Sequence, residues 1–381
     1  MVRSAILLLF LLLTPSTWAL TSMPDANLRT WASNNFPGCI SGSFIDETHP
    51  GVLAATNLNI SGSGNVTNLM GMQAFSNALY LDVSNNPITT WMGPASLRHL
   101  SAYNCGITGT FTVPYMLTMV NVAYNNITTL DLSNADQLLY VTAHHNQITS
   151  VIWPSNPPLT NVDLSYNQLS GFGTNYYLPY IQSLTISHNQ FTAVPYGWNN
   201  LTYLDASWNQ ITDLSQLHGS NYNFSVNLSH NPIQYVPGLS NAESVDLSFN
   251  PLTQGIAETG YNLETLRVSD TQLPCLPYLH NALVNLYCTN SPIGCLPNQP
   301  ADLVMSATNF GFTPALCPAG DPCHKPDPGL VLRVFLQGPF DFQTFLMNDD
   351  LRAQNLLPTS EPYSNLGFTY AGNGWPDTLD P

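Results

Sequence analysis

Charge is what this sequence has least of. Asp, Glu, Lys and Arg make up only 8% of its residues, against about 25% in an ordinary soluble protein. Lysine occurs once, at Lys325, and the formal net charge is −16. Proteins grip phosphate backbones with Lys and Arg, so no nucleic-acid partner is expected, and an anionic lipid surface is equally unsuited. Long apolar runs are also missing. None past the N-terminus approaches the roughly 18 residues that a membrane-spanning helix needs, so no membrane span is expected. The signatures of catalysis are absent too: there is no G-x-S-x-G, no H-E-x-x-H and no phosphate loop. Asp349 and Asp350 are neighbours in a predicted turn, whereas acid–base work needs two carboxylates placed across a cleft. No catalytic activity and no cofactor are expected.

With so few charges, the polar surface must be built from Asn, Ser, Thr, Tyr and Gln. Apolar residues are ordinary at 44%, enough for a continuous core. Residues 1–19 read as a secretory leader: Arg3 supplies the positive charge, residues 6–13 an apolar run, and Thr17-Trp18-Ala19 a small-residue cleavage site. The mature chain is therefore expected to be secreted or displayed at a cell surface. Seven cysteines in such a chain permit disulfides and leave one over. Cys275, Cys295 and Cys317 follow at steps of 20 and 22 residues. A stacked pair of these can bridge, or Cys317 can close the short loop to Cys323. Cys105 and Cys288 read as buried thiols.

What the sequence has in abundance is one recurring mark. An asparagine returns at Asn86, Asn125, Asn146, Asn167, Asn189, Asn209, Asn231 and Asn250, with Cys105, Thr271 and Ser291 in the gaps. Successive marks are 19 to 22 residues apart. The frame around each is L-x-x-L-x-L-x-x-N-x-L, as at Leu159, Val162, Leu164, Asn167 and Leu169. Such a period means a solenoid. Each L-x-L element gives a short strand, and neighbouring strands pair in parallel at about 4.8 Å. The asparagine turns the chain out of the strand, its amide bonding backbone groups that would otherwise cost about 1–3 kcal/mol each if buried unpaired. A repeat this short leaves little room for an outer helix, so segments such as 127–130, 211–214 and 273–276 are predicted to return as extended or 3₁₀ stretches.

The expected organisation follows. Residues 20–66 form an N-terminal cap, with a short helix near M-P-D-A-N-L-R-T-W (23–31) and residues 52–60 as the first strand; a cap is needed to cover the end of the core. Residues 67–312 carry the repeats, 313–329 a Pro/Gly linker, and 330–381 a partial β-rich module. That module has predicted strands at 330–336 and 366–370 and a turn at 348–352. A β-sandwich needs roughly 100 residues, so the module is expected to be cut short.

These repeats resemble the leucine-rich repeat family, and their short form is similar to the internalin-like bacterial type. The resemblance implies a horseshoe with a parallel concave β-sheet and a thin outer face of loops and 3₁₀ turns. The opening M-P-D-A-N-L-R-T-W is similar to the I-P-D-x-N-F-R that precedes such arrays in bacteria. The segments V-F-L-Q-G-P-F, L-M-N-D-D-L-R and L-L-P-T-S-E-P-Y resemble a module of exported proteins from gliding Gram-negative bacteria. What the resemblance implies is adhesion or recognition of a protein or glycan on the concave face.

Two columns are candidates for that contact. The position before each asparagine holds Tyr124, His145, Tyr166, His188, Trp208, His230 and Phe249, a ladder of flat rings that can dock a peptide or stack on sugars. Its plain structural alternative is cover for the asparagine turn. The position between the inward strand residues holds Asp82, Asn121, Thr142, Asp163, Thr185, Asp205, Asn227 and Asp246. Asp163, Asp205 and Asp246 there suit a basic or hydroxyl-rich partner, although Leu-Asp-Leu is also a common strand sequence. No metal is expected. His145, His188 and His230 lie two turns apart, roughly 10 Å, too far to share a zinc with ligands at about 2 Å. Cys295, Cys317, Cys323 and His324 fit no zinc spacing and suit a disulfide better. Two rival roles stand beside recognition: a spacer for a further domain, and the substrate-selecting part of an enzyme.

Overall fold

The computed structural model describes residues 19–325, apart from short internal stretches, and the two strands Phe368–Ala371 and Trp375–Leu379. Twelve short strands, from Asn57–Asn59 and Tyr80–Asp82 to Thr265–Arg267 and Asn285–Tyr287, pair in parallel and in chain order as one sheet. Their register holds over the three central residues of each strand, with one shift beside Phe224: Tyr140, Val141 and Thr142 face Asn161, Val162 and Asp163, which face Ser183, Leu184 and Thr185. Because side chains alternate along a strand, the central residue of each points into the core. Val141, Val162, Leu184, Leu204, Val245 and Leu286 are all buried. Their neighbours on either side stand on the concave face. By the 4.8 Å spacing, the sheet is about 50 Å long.

The asparagines hold one turn to the next. Asn209 donates from Nδ2 to the carbonyls of Ile186, one turn back, and Ala206 in its own turn, while its Oδ1 accepts from Phe191 N at 2.9 Å. Asn125, Asn146, Asn167, Asn189, Asn231 and Asn250 repeat the pattern. The substitutes do part of the same work: Cys105 Sγ donates to Val83 O, and Thr271 Oγ1 and Ser291 Oγ both donate to Val268 O.

The outer returns are extended, as the short repeat requires. Three of them, Thr108–Thr112, Asn126–Asp131 and Ser150–Ile152, go further and pair as a second parallel sheet. Tyr235–Val236 and Gly255–Ile256 pair likewise. A 3₁₀ turn occurs at Met72–Ala74. Between the two layers runs one core that extends from Met23 to Phe310, with Phe75, Phe111 and Phe191 fully inside it.

The cap is more helical than its sequence suggests. The predicted helix is Ala26–Asn35, but part of the stretch 52–60 is also helical, Pro50–Ala54, and its strand is only Asn57–Asn59. Pro50 at the first helical position and His49 Nδ1, which accepts from Gly51 N at 3.2 Å, start that second helix. Asp25 clamps the cap to the array. Its Oδ1 accepts from Asn27 N and Leu28 N, and its Oδ2 from Thr67 N, Thr67 Oγ1 and Asn68 N. Burial raises its carboxyl pKa, but these donors outweigh that and hold it below the usual carboxylate range.

The far end is fastened covalently. Disulfides join Cys295 to Cys317 and Cys275 to Cys323. The first is one of the stacked pairs open from the sequence; the loop from Cys317 to Cys323 is not closed, because Cys323 reaches back 48 residues instead. Residues 313–325, read as the start of a linker, are thereby tied to the last turns, where Cys317 N also donates to Leu296 O at 2.8 Å. Phe368–Ala371 and Trp375–Leu379 pair antiparallel, with the first overlapping the strand predicted at 366–370. The predicted leader, the strand at 330–336 and the turn at 348–352 lie outside the described residues.

Candidate binding face

The ladder position has an unusual backbone. Tyr124, His145, Tyr166, His188, Trp208, His230 and Phe249 all have φ between 53° and 59°. That left-handed region costs an ordinary L-residue about 1–2 kcal/mol, and Asn and Asp enter it most readily. At both ends of the array the same position indeed holds Asn85, Asn104, Asp270 and Asn290, also left-handed. Those short side chains pair with each other: Asn104 Nδ2 donates to Asn85 Oδ1 at 3.0 Å, and Asn290 Nδ2 to Asp270 Oδ1 at 2.9 Å. Only the middle seven turns carry rings.

Those rings form one uninterrupted stack. Centroids are 4.2 Å apart from Tyr124 to His145 and from His145 to Tyr166, and 4.0 Å from Tyr166 to His188. The step to Trp208 is 5.1 Å, then 3.8 Å to His230 and 4.2 Å to Phe249. Interplanar angles never exceed 17°. Each stacked pair contributes about 0.5–1.5 kcal/mol, which offsets the left-handed strain without clearly exceeding it. The stack does not sink into the core. Trp208 and Phe249 are each 50% exposed. Since neighbours cover the faces, the inner rings present their edges to solvent.

The Asp column does local work as well as facing outward. Oδ1 of Asp163 and of Asp205 accepts from the N–H and hydroxyl two residues on, at Ser165 and Ser207. Asp246 Oδ1 accepts from Ser248 N at 2.9 Å. Asn227 makes the same bonds to Ser229 without a charge, so the turn needs the acceptor oxygen and not the carboxylate. Arg267 follows Asp246 in register, and its guanidinium lies 4.1 Å over the Tyr287 ring. Trp208, His230, Phe249, Asp246, Arg267 and Tyr287 line a shallow depression of about 410 Å³.

Two ladder histidines are held neutral. Burial pushes His145 below the usual imidazole range, with His144 adding to the effect and Asp163 opposing it. Burial does the same to His188, against the pull of Asp205 and with help from His230. Each ladder histidine has a non-histidine ring on either side, so the three do not converge on one point. Cys295, Cys317 and Asp321 cluster, but the two sulfurs are bonded to each other and offer no thiolate. Burial pushes the thiols of Cys105 and Cys288 up to about 11 and about 12, so they stay protonated and inert. Cys39 is a third buried thiol.

One exposed column is absent from the sequence-based expectations. The residue that enters each strand also stands on the concave face: Tyr80, His99, Met119 and Tyr140 lie side by side on adjacent strands, with Tyr203 further along. Met119, Tyr140 and Tyr203 are all more than 40% exposed. The signal for them was present in the repeat frame, one position before each inward strand residue. The signal for the ladder's left-handed backbone also lay in the frame, at Asn85, Asn104, Asp270 and Asn290 in the outer turns, since an aromatic residue is itself a poor marker for it.

No family model matches the chain, and no curated protein does. Solved structures do. The leucine-rich repeat domain of APL1B matches with a TM-score of 0.51 at 15% identity, over 60% of this chain and 73% of that one. YopM from Yersinia enterocolitica matches with a TM-score of 0.49 at 26% identity, over 64% of this chain, which spans 58% of the length of YopM. The internalin inlF from Listeria monocytogenes matches with a TM-score of 0.47 at 16% identity, over 78% of this chain and 91% of its own. The fold is that of a leucine-rich repeat domain. Among the described residues no helix is long and apolar enough to cross a membrane.

Proposed function

We propose that this chain is an exported recognition protein that binds a protein partner on its concave sheet, with the ring ladder as the main contact. One observation carries this reading. Rings occupy seven left-handed positions where asparagine serves the turn at both ends of the array, and their edges stay exposed. The turn can be served by Asn or Asp without a ring, and a contiguous exposed stripe of rings is the usual mark of an interaction site. Mutual stacking also discriminates between the two expected partners. A sugar docks by laying its C–H face on an open aromatic face, and the inner rings have none open. Their edges, with phenol and imidazole groups between apolar rims, suit the mixed surface of a polypeptide.

The sheet is rigid before binding, so little ordering is lost on association. Display outside the cell is supported by the reading of residues 1–19 as a leader and by two disulfides, which persist in oxidising compartments. A bacterial cell surface is the setting that the sequence resemblance suggests, with adhesion or recognition as the role. The test is a selection from a displayed random-peptide library on the immobilised chain, with a glycan array alongside. Peptide enrichment by the wild type and none by a Tyr166→Asn/Trp208→Asn chain supports the proposal. Binding to glycans alone sinks it.

A further inference from the structure

The exposed columns repeat every two turns, not every one. At the ladder position His145, His188 and His230 alternate with Tyr166, Trp208 and Phe249. At the strand-exit position Thr142, Thr185 and Asn227 alternate with Asp163, Asp205 and Asp246. The two alternations are locked together. From Thr142 to Phe249 a turn carries either a neutral side chain with a histidine, or a carboxylate with Tyr, Trp or Phe; the turn before these, with Asn121 and Tyr124, breaks the pairing.

This doubled period sets a length. With strands about 4.8 Å apart, the backbone positions of Asp163, Asp205 and Asp246 recur roughly every 9.6 Å along the solenoid, while the ring centroids beside them step by 3.8 to 5.1 Å. A partner that meets all three must repeat at that step. An extended strand returns to one face every ~6.7 Å, which is too short. An α-helix returns after seven residues at ~10.5 Å, nearly 2 Å out of step after two intervals. A polyproline-type helix has three residues per turn and a rise of ~3.1 Å, so it returns every ~9.3 Å. It stays within about 0.6 Å over the whole row.

Backbone chemistry points the same way. The N–H and C=O groups of the concave strands are used in pairing with their neighbours, so the sheet face offers a partner no main-chain bonds. A polyproline-type backbone is solvated and asks for none, and such segments dock against aromatic surfaces. Charge fixes the remaining requirement. Each Asp contributes a negative charge in a chain of net charge −16. The one cation of the strand-exit column, Arg267, lies beyond the row and over Tyr287.

We infer that the concave face takes a polyproline-type segment of a protein partner with Lys or Arg at every third position, the cations over Asp163, Asp205 and Asp246 and the intervening residues against the ring edges. This rests on the proposal that the concave face is the binding surface.

The probes are three synthetic Lys/Pro peptides of equal length, each with three lysines set two, three or four residues apart and proline elsewhere, titrated into the intact chain by fluorescence anisotropy at low salt. The every-third peptide is expected to bind about tenfold more tightly than either of the others. Asp163→Asn, Asp205→Asn and Asp246→Asn should each weaken it by about 2–5-fold. These variants keep the turn, since Asn121 and Asn227 already make the same bond at 3.1 Å to the N–H two residues on. Equal affinity for the three spacings, or no binding of any peptide, overturns the inference. If a library-selected partner is still lost in Tyr166→Asn/Trp208→Asn, only the register has failed. If that variant keeps the partner, the concave surface itself has failed.

Discussion

The rings of Trp208 and His230 lie 3.8 Å apart and 15° from parallel, although both residues hold a left-handed backbone. Stacking and strain are of similar size there, so the turn gains little from the ring itself. Trp208→Asn should therefore stay within about 1 kcal/mol of wild-type stability: it loses two stacked contacts and gains tolerance of the backbone. Trp208→Ala keeps the strain and loses the stack, and should fall about 1 kcal/mol below the Asn variant. Urea unfolding of the two variants decides it. An Asn variant as unstable as the Ala variant means that the rings hold the turn.

Asn209 should be far less replaceable. Its amide satisfies the carbonyls of Ile186 and Ala206 and the N–H of Phe191, all inside the array. Asn209→Ala leaves several of these without partners, at about 1–3 kcal/mol for each group that water cannot reach. A loss of roughly 2–4 kcal/mol in urea unfolding is expected. A loss under about 0.5 kcal/mol would show that backbone bonds alone hold the turns together.

Acidification should weaken the fold through the ladder. His145 and His188 have folded pKa values below the usual imidazole value, chiefly through burial. The unfolded chain then binds more protons near pH 6, so this stability is present above about pH 6.5 and is lost as pH falls towards the lowered folded values. Unfolding midpoints at about pH 7.5 and 5.5 should differ, and the difference should shrink in a His145→Asn/His188→Asn chain. An unchanged difference would place the pH dependence elsewhere.

Reduction should loosen one end only. The disulfide loops span 22 and 48 residues, for which chain entropy gives about 3–4 kcal/mol each. After reduction, amide exchange should speed up in Thr265–Arg267 and Asn285–Tyr287 while Asn161–Asp163 stays protected. Uniform loss of protection along the array would mean that it unfolds as one unit.

Much of this architecture is legible in the chain because one physical demand recurs. A buried polar group must turn the backbone at each strand end, so the asparagines, or Cys105, Thr271 and Ser291 in their place, mark the turns together with the two apolar positions before them. Where that demand lapses, legibility lapses. The helix Pro50–Ala54 overlaps the start of the stretch 52–60, which reads as extended, because apolar residues over so short a span suit either state. The Cys275–Cys323 bond joins residues 48 positions apart in sequence, and nothing in their spacing announces it. The ladder was visible as a column of rings; its left-handed backbone was marked only by Asn and Asp at the same position of the outer turns, and the covering of each face by its neighbour had no mark at all. Those two facts separate docking against ring edges from stacking on sugars.

The most direct measurement is a titration of one library-selected peptide into the wild-type chain and into Tyr166→Asn/Trp208→Asn, with urea unfolding to confirm that both are folded. The expected result is affinity at least about tenfold weaker in the variant, since both replaced rings sit inside the stack. Equal affinity in two equally stable proteins would contradict the account, and would place the partner's contacts away from the concave ladder.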